Sequence, residues 1–270
     1  MVTRKRATGA QSYGEYLKIR ELLGLQRTLT AAHDELQFIV VHQIFELWFK
    51  LMLFELEATR AAMGKSDVPA ALHTLRRLQA IVRQLTESFD VIETMRPYDF
   101  LQFRASLEPA SGFQSVQFRE IEFVSGSKDD RYLAIFTGAT RKRLERRARE
   151  PSLWDAYLGL LLRHRMRTRS DADVVASVIK VLEDPDRHAL GALTEALIGY
   201  DELFSLWRTR HVRMTMRMIG ARPGTGRKNV AKLVASGYER MGSGGVDYLE
   251  STIAKVFFPL LWEARTFVQR

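Results

Sequence analysis

The chain has 270 residues, 46% of them apolar and 27% charged, with a formal net charge of +9. That is enough apolar material for a sizeable core, and the composition is that of a folded chain rather than a disordered one. It contains no cysteine, which excludes disulfides, zinc–thiolate sites, iron–sulfur clusters and thiolate-ligated or covalently attached haem.

The first eleven residues open on Met1-Val2-Thr3-Arg4-Lys5-Arg6; they are basic and lack the apolar stretch of a signal peptide. They read as a disordered tail before one domain spanning 12–270. Residues 13–26 set Tyr13, Tyr16, Leu17, Ile19, Leu22 and Leu23 on one helical stripe. Residues 34–63 form a long, very apolar helix, and 67–95 another that stops before Arg96-Pro97. Asp99–Leu107 suits a short helix, 109–116 a loop, and the segment beyond it a helix toward Val124. Ser152 and Asp155 stand in capping-box spacing, and Ser170 with Asp173 repeats the signature. Residues 187–219 read as one long helix or two, with the glycine-rich loop Gly220–Gly226 after them. A second glycine cluster, Gly242–Gly245, precedes a last helix over about 246–266. Strand alternation is absent, so the expected fold is all-α. No run of eighteen apolar residues occurs, which argues against a membrane span. Cytoplasmic location is the expectation.

The positive charge is concentrated in Arg141–Arg149 and Arg163–Arg169. Neither run interleaves aromatics for base stacking, and solvated helical faces explain both better than nucleic acid does.

Three residues call for a chemical explanation. His42 lies among Phe38, Phe45 and Phe49 on the most apolar face of its helix, where an imidazole needs a hydrogen-bond partner. A core histidine bonded to one side chain is the ordinary case. Glu46, one turn later, makes a His-x-x-x-Glu spacing that suits two metal ligands but is common. His211 sits in a second apolar helix near Trp207, where a neutral imidazole can ligate a haem iron from one side or simply pack. Arg104 stands alone among Phe100, Leu101 and Phe103. Its guanidinium can clamp a carboxylate through two parallel bonds, with Phe38 and Phe100 as walls for an aromatic body, or it can pair with Glu108 at i+4. The Gly224-Thr225-Gly226 loop lacks the lysine of a phosphate-binding loop and has the freedom to close over a ligand, or to be a plain turn.

Taken in order, Tyr13-Gly14-Glu15-Tyr16-Leu17, His33-Asp34-Glu35, Phe38 to Gln43, Glu46-Leu47-Trp48-Phe49-Lys50, Phe100 to Arg104, Pro109 to Ser115, Trp207-Arg208, His211 and Gly224-Thr225-Gly226 resemble the tryptophan 2,3-dioxygenase family over about residues 12–268. The resemblance implies an all-helical homotetramer that uses haem b, in the ferrous state, and dioxygen to cleave the indole C2–C3 bond of L-tryptophan, giving N-formyl-kynurenine. It implies that His211 is the proximal iron ligand with Trp207 in the cofactor wall. His42 becomes the distal histidine bonded to the indole nitrogen, and Arg104 the carboxylate clamp. Phe38 and Phe100 pack on the indole, Thr225 contacts the ammonium and carboxylate, and Ser111 and Gly112 lie beside the haem. Tyr13, Tyr16 and Leu17 line a neighbouring subunit's pocket. Neither a nucleic acid nor a membrane is an implied partner.

One departure stands out. The family motif runs Gly-Thr-Gly-Gly-Ser-Ser-Gly, whereas here residues 227–241 separate Gly226 from Gly242-Ser243-Gly244-Gly245. That split favours a second reading, a relative that adds one oxygen atom to a substituted tryptophan to give an oxindole. A non-catalytic haem sensor or nucleic-acid binder is the reading from a different class.

Overall fold

A computed structural model describes residues 11–220, 222, 224–236 and 245–269. The basic tail and Gly242–Gly244 therefore lie outside the described residues. Every regular element among those described is helical, as the sequence leads one to expect.

Two long helices and one between them carry the architecture. Helix α3 (Glu35–Gly64) and α10 (His188–Ile219) both pack against α4 (Val68–Ile92). The pattern of α4 explains why it sits centrally. Ala71, Leu75, Leu78, Val82, Leu85 and Phe89 recur at three- and four-residue spacing and are all wholly buried. Asp67 caps its start by accepting from the Ala70 N–H at 3.0 Å, with Pro69 in the first turn. Helix α3 is apolar and long enough to cross a membrane by composition. Its inner face buries Phe45, Phe49, Met52 and Leu56, while Leu36, Leu47 and Phe54 stay exposed.

Shorter helices close the sides. Helix α5 (Pro97–Arg104) starts on its proline; α6 (Val116–Ser125) and α8 (Leu153–Arg163) pack on α3. Ser152 and Asp155 form the expected capping box of α8. Ser170 caps α9 (Asp171–Glu183), which packs against α13 (Pro259–Arg265). The basic run 141–149 lies on α7 (Gly138–Arg149), where Arg143 and Arg147 pair with the buried Glu120. The second basic run is not helical throughout: α8 ends at Arg163, and Arg165 takes a left-handed turn at φ 62°.

Two predicted elements differ. The stripe over 13–26 is broken into α1 (Tyr13–Leu17) and α2 (Ile19–Leu22) by Lys18, at φ 55° and ψ 41°. Tyr13, Tyr16 and Leu23 are more than two-thirds exposed, whereas Ile19 is half-buried. The last predicted helix is likewise two, α12 (Gly245–Ile253) and α13, separated by a turn at 254–258. A buried carboxylate on α10 holds that turn. Asp201 accepts from the N–H groups of Phe257 (2.8 Å) and Phe258 (3.0 Å) and from Trp262 Nε1 (3.0 Å). Arg208 on the same helix donates to the Lys255 carbonyl. Asp201→Ala orphans three donors in the core and is expected to cost about 3 kcal/mol. Urea unfolding checks this, with the loss seen in the midpoint and an unchanged slope.

Candidate active site

A cavity of ≈ 930 Å³ opens between α3, α5, α6 and α10, near the upper end of roughly 300–1,000 Å³ for small-molecule sites. Its walls are mainly aromatic and aliphatic: Phe38, Phe45 and Phe49 from α3, Phe89 from α4, Phe118 from α6, Met214 and Met218 from α10. Into this apolar space the fold brings both histidines singled out by the sequence.

His42 is not a packed core histidine. Its ring keeps exposed surface, and that surface faces the cavity although protein surrounds it. Its Nδ1 lies 2.7 Å from the Phe38 carbonyl. A carbonyl only accepts, so Nδ1 carries the proton and a neutral ring has Nε2 as a free acceptor. Burial pushes the His42 pKa down, against smaller raising effects of the Phe38 bond and of Glu46. The neutral form thus prevails at pH 7. The Phe38 ring leans on the imidazole with centroids 4.0 Å apart, which restricts its rotation.

His211 lines the cavity from α10. The rings of Phe89 (5.7 Å, 12° between planes) and Trp207 (5.4 Å, 20°) flank it. Burial, with a smaller contribution from His42, lowers its pKa to about 4. It is therefore neutral at pH 7 and ready to donate a nitrogen lone pair. Trp207 Nε1 beside it is buried with no hydrogen-bond acceptor among the described residues. No group of three or more His, Cys, Asp or Glu able to hold a bare ion occurs among the described residues. Both neutral imidazoles, His42 and His211, line this apolar space, and a neutral imidazole can give one nitrogen lone pair to a metal.

Arg104, half-buried at the end of α5, also lines the cavity, as do Phe100 one turn earlier, Ser111, Gly112, Gly224 and Thr225. Phe100 stands 5.7 Å from Phe38. Two loops meet at Gly226, where an added Cβ would lie 2.5 Å from Ser111 Oγ and 2.8 Å from the Phe113 ring. Only glycine allows that approach. The segment that splits the glycine motif forms α11 (Arg227–Ala235). Its Leu233 is buried in a second cluster with Phe123, Tyr132 and Leu133, and Ser236 Oγ donates to the Arg131 carbonyl. Helix α11 thus follows the Gly224–Gly226 loop directly and is anchored at its own end, with Thr225 still in the lining.

The sequence-predicted residues Phe38, His42, Phe100, Arg104, Ser111, Gly112, Trp207, His211 and Thr225 all line this one cavity. Tyr13, Tyr16 and Leu17 do not; they are exposed on α1. Leu22 and Leu25, a little further along, do line it. Gln26 Nε2 donates to Gln43 Oε1 at 2.5 Å, and Gln43 Nε2 to the Leu25 carbonyl at 3.3 Å, which pins that segment down. Sequence reasoning also missed the buried Arg208–Glu122 pair (3.3 Å) in the cavity lining. No periodicity marks a pair 86 residues apart.

A family model described as tryptophan 2,3-dioxygenase matches residues 2–173 and 163–268. A tryptophan 2,3-dioxygenase of Nocardioides sp. is 45% identical over 269 residues, covering 96% of this chain and 95% of that protein. One from Herpetosiphon aurantiacus is 42% identical over 270 residues, covering 95% and 98%. One from Bradyrhizobium sp. is 38% identical over 275 residues, covering 96% and 93%.

Proposed function

The chain belongs to the tryptophan 2,3-dioxygenase family, and on that premise we propose that it catalyses oxidative cleavage of the indole C2–C3 bond of L-tryptophan by dioxygen, giving N-formyl-L-kynurenine. The observation that carries this reading is the meeting of His42, His211 and Arg104 on one apolar cavity. A haem b fits the residues present: a neutral histidine free to ligate, aromatic walls, and in Trp207 a buried donor with no acceptor among the described residues. When bound, haem supplies the iron that activates dioxygen.

The chain's own part is to bind and orient. His211 would hold the iron, and Trp207, Ser111 and Gly112 would border the cofactor. Arg104 takes the substrate carboxylate through two parallel bonds, and Thr225 offers its hydroxyl to the amino-acid end. Phe38 and Phe100 flank the indole. His42, the residue nearest the chemistry, accepts the indole N–H at Nε2. An indole N–H is a very weak acid, so this bond positions the ring rather than removing its proton. Orientation of that kind is a main source of rate when two reactants are held together. Residues 12–270 form one domain of a cytoplasmic homotetramer, in which the exposed Tyr13, Tyr16 and Leu17 reach a neighbouring site.

Aerobic turnover of L-tryptophan by the reduced, haem-loaded protein tests the reading. A ring-opened product heavier by two oxygen atoms is expected. A product heavier by one, or none, overturns it.

His42 gives a pH-dependent prediction. Protonation turns Nε2 from acceptor into donor, and burial holds the pKa below its ordinary 6.5. Full tryptophan affinity is therefore expected above pH 6.5 and is lost as pH falls below it. His42→Ala should raise KM about tenfold, the loss of one hydrogen bond, and flatten that acid limb. KM measured over the range from mildly acidic to mildly alkaline pH in both proteins is the check.

A further inference from the structure

Glu46 lies one turn beyond His42 on α3, lines the same cavity and is half-buried. Its spacing from His42 suits a metal pair, but its carboxylate is engaged elsewhere. Oε1 accepts from Ser115 Oγ at 2.6 Å, and Oε2 accepts from Gln117 Nε2 at 2.7 Å. The same Nε2 donates to the Glu46 backbone carbonyl at 2.8 Å. Ser115 is also the N-cap of α6, its Oγ accepting from the Phe118 N–H at 3.2 Å. One carboxylate thus joins three things: the helix that carries His42, the end of the Ser111–Ser115 turn, and the first turn of α6. Bonds to an ionised acceptor are short and stronger than neutral ones, and these are part-buried.

The geometry has a consequence for the cavity. Helix α3 supplies Phe38 and His42 on one side, and the turn supplies Ser111, Gly112 and Phe113 on another. Gly226 lies close against Ser111 and Phe113, and Glu46 holds the other end of that turn through Ser115. We propose that Glu46 is a positioning residue: by tying α3 to Ser115 and Gln117 it fixes the separation between His42 and the Ser111–Ser115 turn, and so sets the room left for the ring of the substrate. The link to ring size rests on the tryptophan reading; the tie itself does not.

The test uses the full-length, haem-loaded protein with Glu46→Ala, Glu46→Gln and Ser115→Ala. Amide hydrogen exchange reads the tie without any turnover. In Glu46→Ala, amides of 111–117 should exchange about 10- to 100-fold faster, the range for losing bonds to a charged group, while those of α4 and α10 keep their protection. KM for L-tryptophan should rise about tenfold with kcat within about threefold. The preference for L-tryptophan over 5-methyltryptophan should shrink, since a wider gap admits the added methyl. Glu46→Gln keeps one acceptor oxygen for Ser115 and should recover most of both effects. Ser115→Ala should reproduce the local exchange change if Glu46→Ala does not fold. Unchanged exchange over 111–117 overturns the proposal, as does faster exchange spread evenly over α4 and α10. If the wild-type protein leaves L-tryptophan untouched, the functional reading fails while the exchange result still decides the tie.

Discussion

His211→Ala is expected to give a folded helical protein that no longer retains haem, with affinity for the cofactor down by more than about 100-fold. Removing a group that merely supports a metal ligand costs roughly 10- to 100-fold in affinity, and His211 is the one imidazole on its side of the cavity. The fold should survive because the ring borders a cavity rather than filling a packed core. What is lost is its stacking between Phe89 and Trp207, worth about 0.5–1.5 kcal/mol per ring pair. No charge is lost either, since the imidazole is already neutral at pH 7 with a pKa of about 4. Far-UV circular dichroism should therefore match the wild type, while the visible absorbance of the reconstituted protein is lost. Free imidazole, small enough for the space the alanine leaves, should restore part of that absorbance. A variant that holds haem as tightly as the wild type, with the same spectrum, would remove His211 from the role of ligand.

The sequence could supply His211 as a candidate and no more, and the reason is physical. A histidine on an apolar helix is either packed or facing a space, and periodicity reports only that the face is apolar. The same ambiguity held for His42, which lines the cavity while its Nδ1 bonds the Phe38 carbonyl. Local signals fared better. The Ser152–Asp155 box and the cap at Ser170 begin helices where the spacing says they should, because capping involves neighbours three residues apart. Distant ties left no such mark. The last helix reads as continuous until Asp201, 56 residues upstream of Phe257, takes that turn's N–H groups. The stripe at 13–26 is genuine as a pattern, yet Tyr13, Tyr16, Leu17 and Leu23 on it are exposed. A pattern states that a face should be buried without stating against what. Glu46 shows the same limit in the site itself: its partners are 69 and 71 residues away, so its spacing from His42 points to the wrong chemistry.

Arg104→Ala should lower kcat/KM for L-tryptophan about 100-fold or more. Truncating one member of a desolvated, hydrogen-bonded charge pair costs about 2–5 kcal/mol, and about 1.4 kcal/mol is a factor of ten. The placement favours a strong clamp. Arg104 is half-buried at the C-terminal end of α5, where helix carbonyls favour a cation. Phe103, wholly buried and edge-on to both Phe38 and Phe100, anchors that end of the helix. A substrate without the carboxylate isolates the contact. Tryptamine keeps the indole and amine, so it still meets His42 and the aromatic walls but offers Arg104 nothing. The wild-type protein should prefer L-tryptophan to tryptamine by about the factor that the substitution removes, and Arg104→Ala should treat the two nearly alike. Arg104→Lys keeps the charge without the planar fork and should fall between them, nearer to alanine. If the tryptophan-to-tryptamine ratio is the same in wild type and variant, Arg104 does not hold the carboxylate, whatever the fall in overall rate. The ratio is the deciding measurement because misfolding, cofactor loss or a shifted α5 lowers both rates together, whereas a lost carboxylate clamp lowers only one.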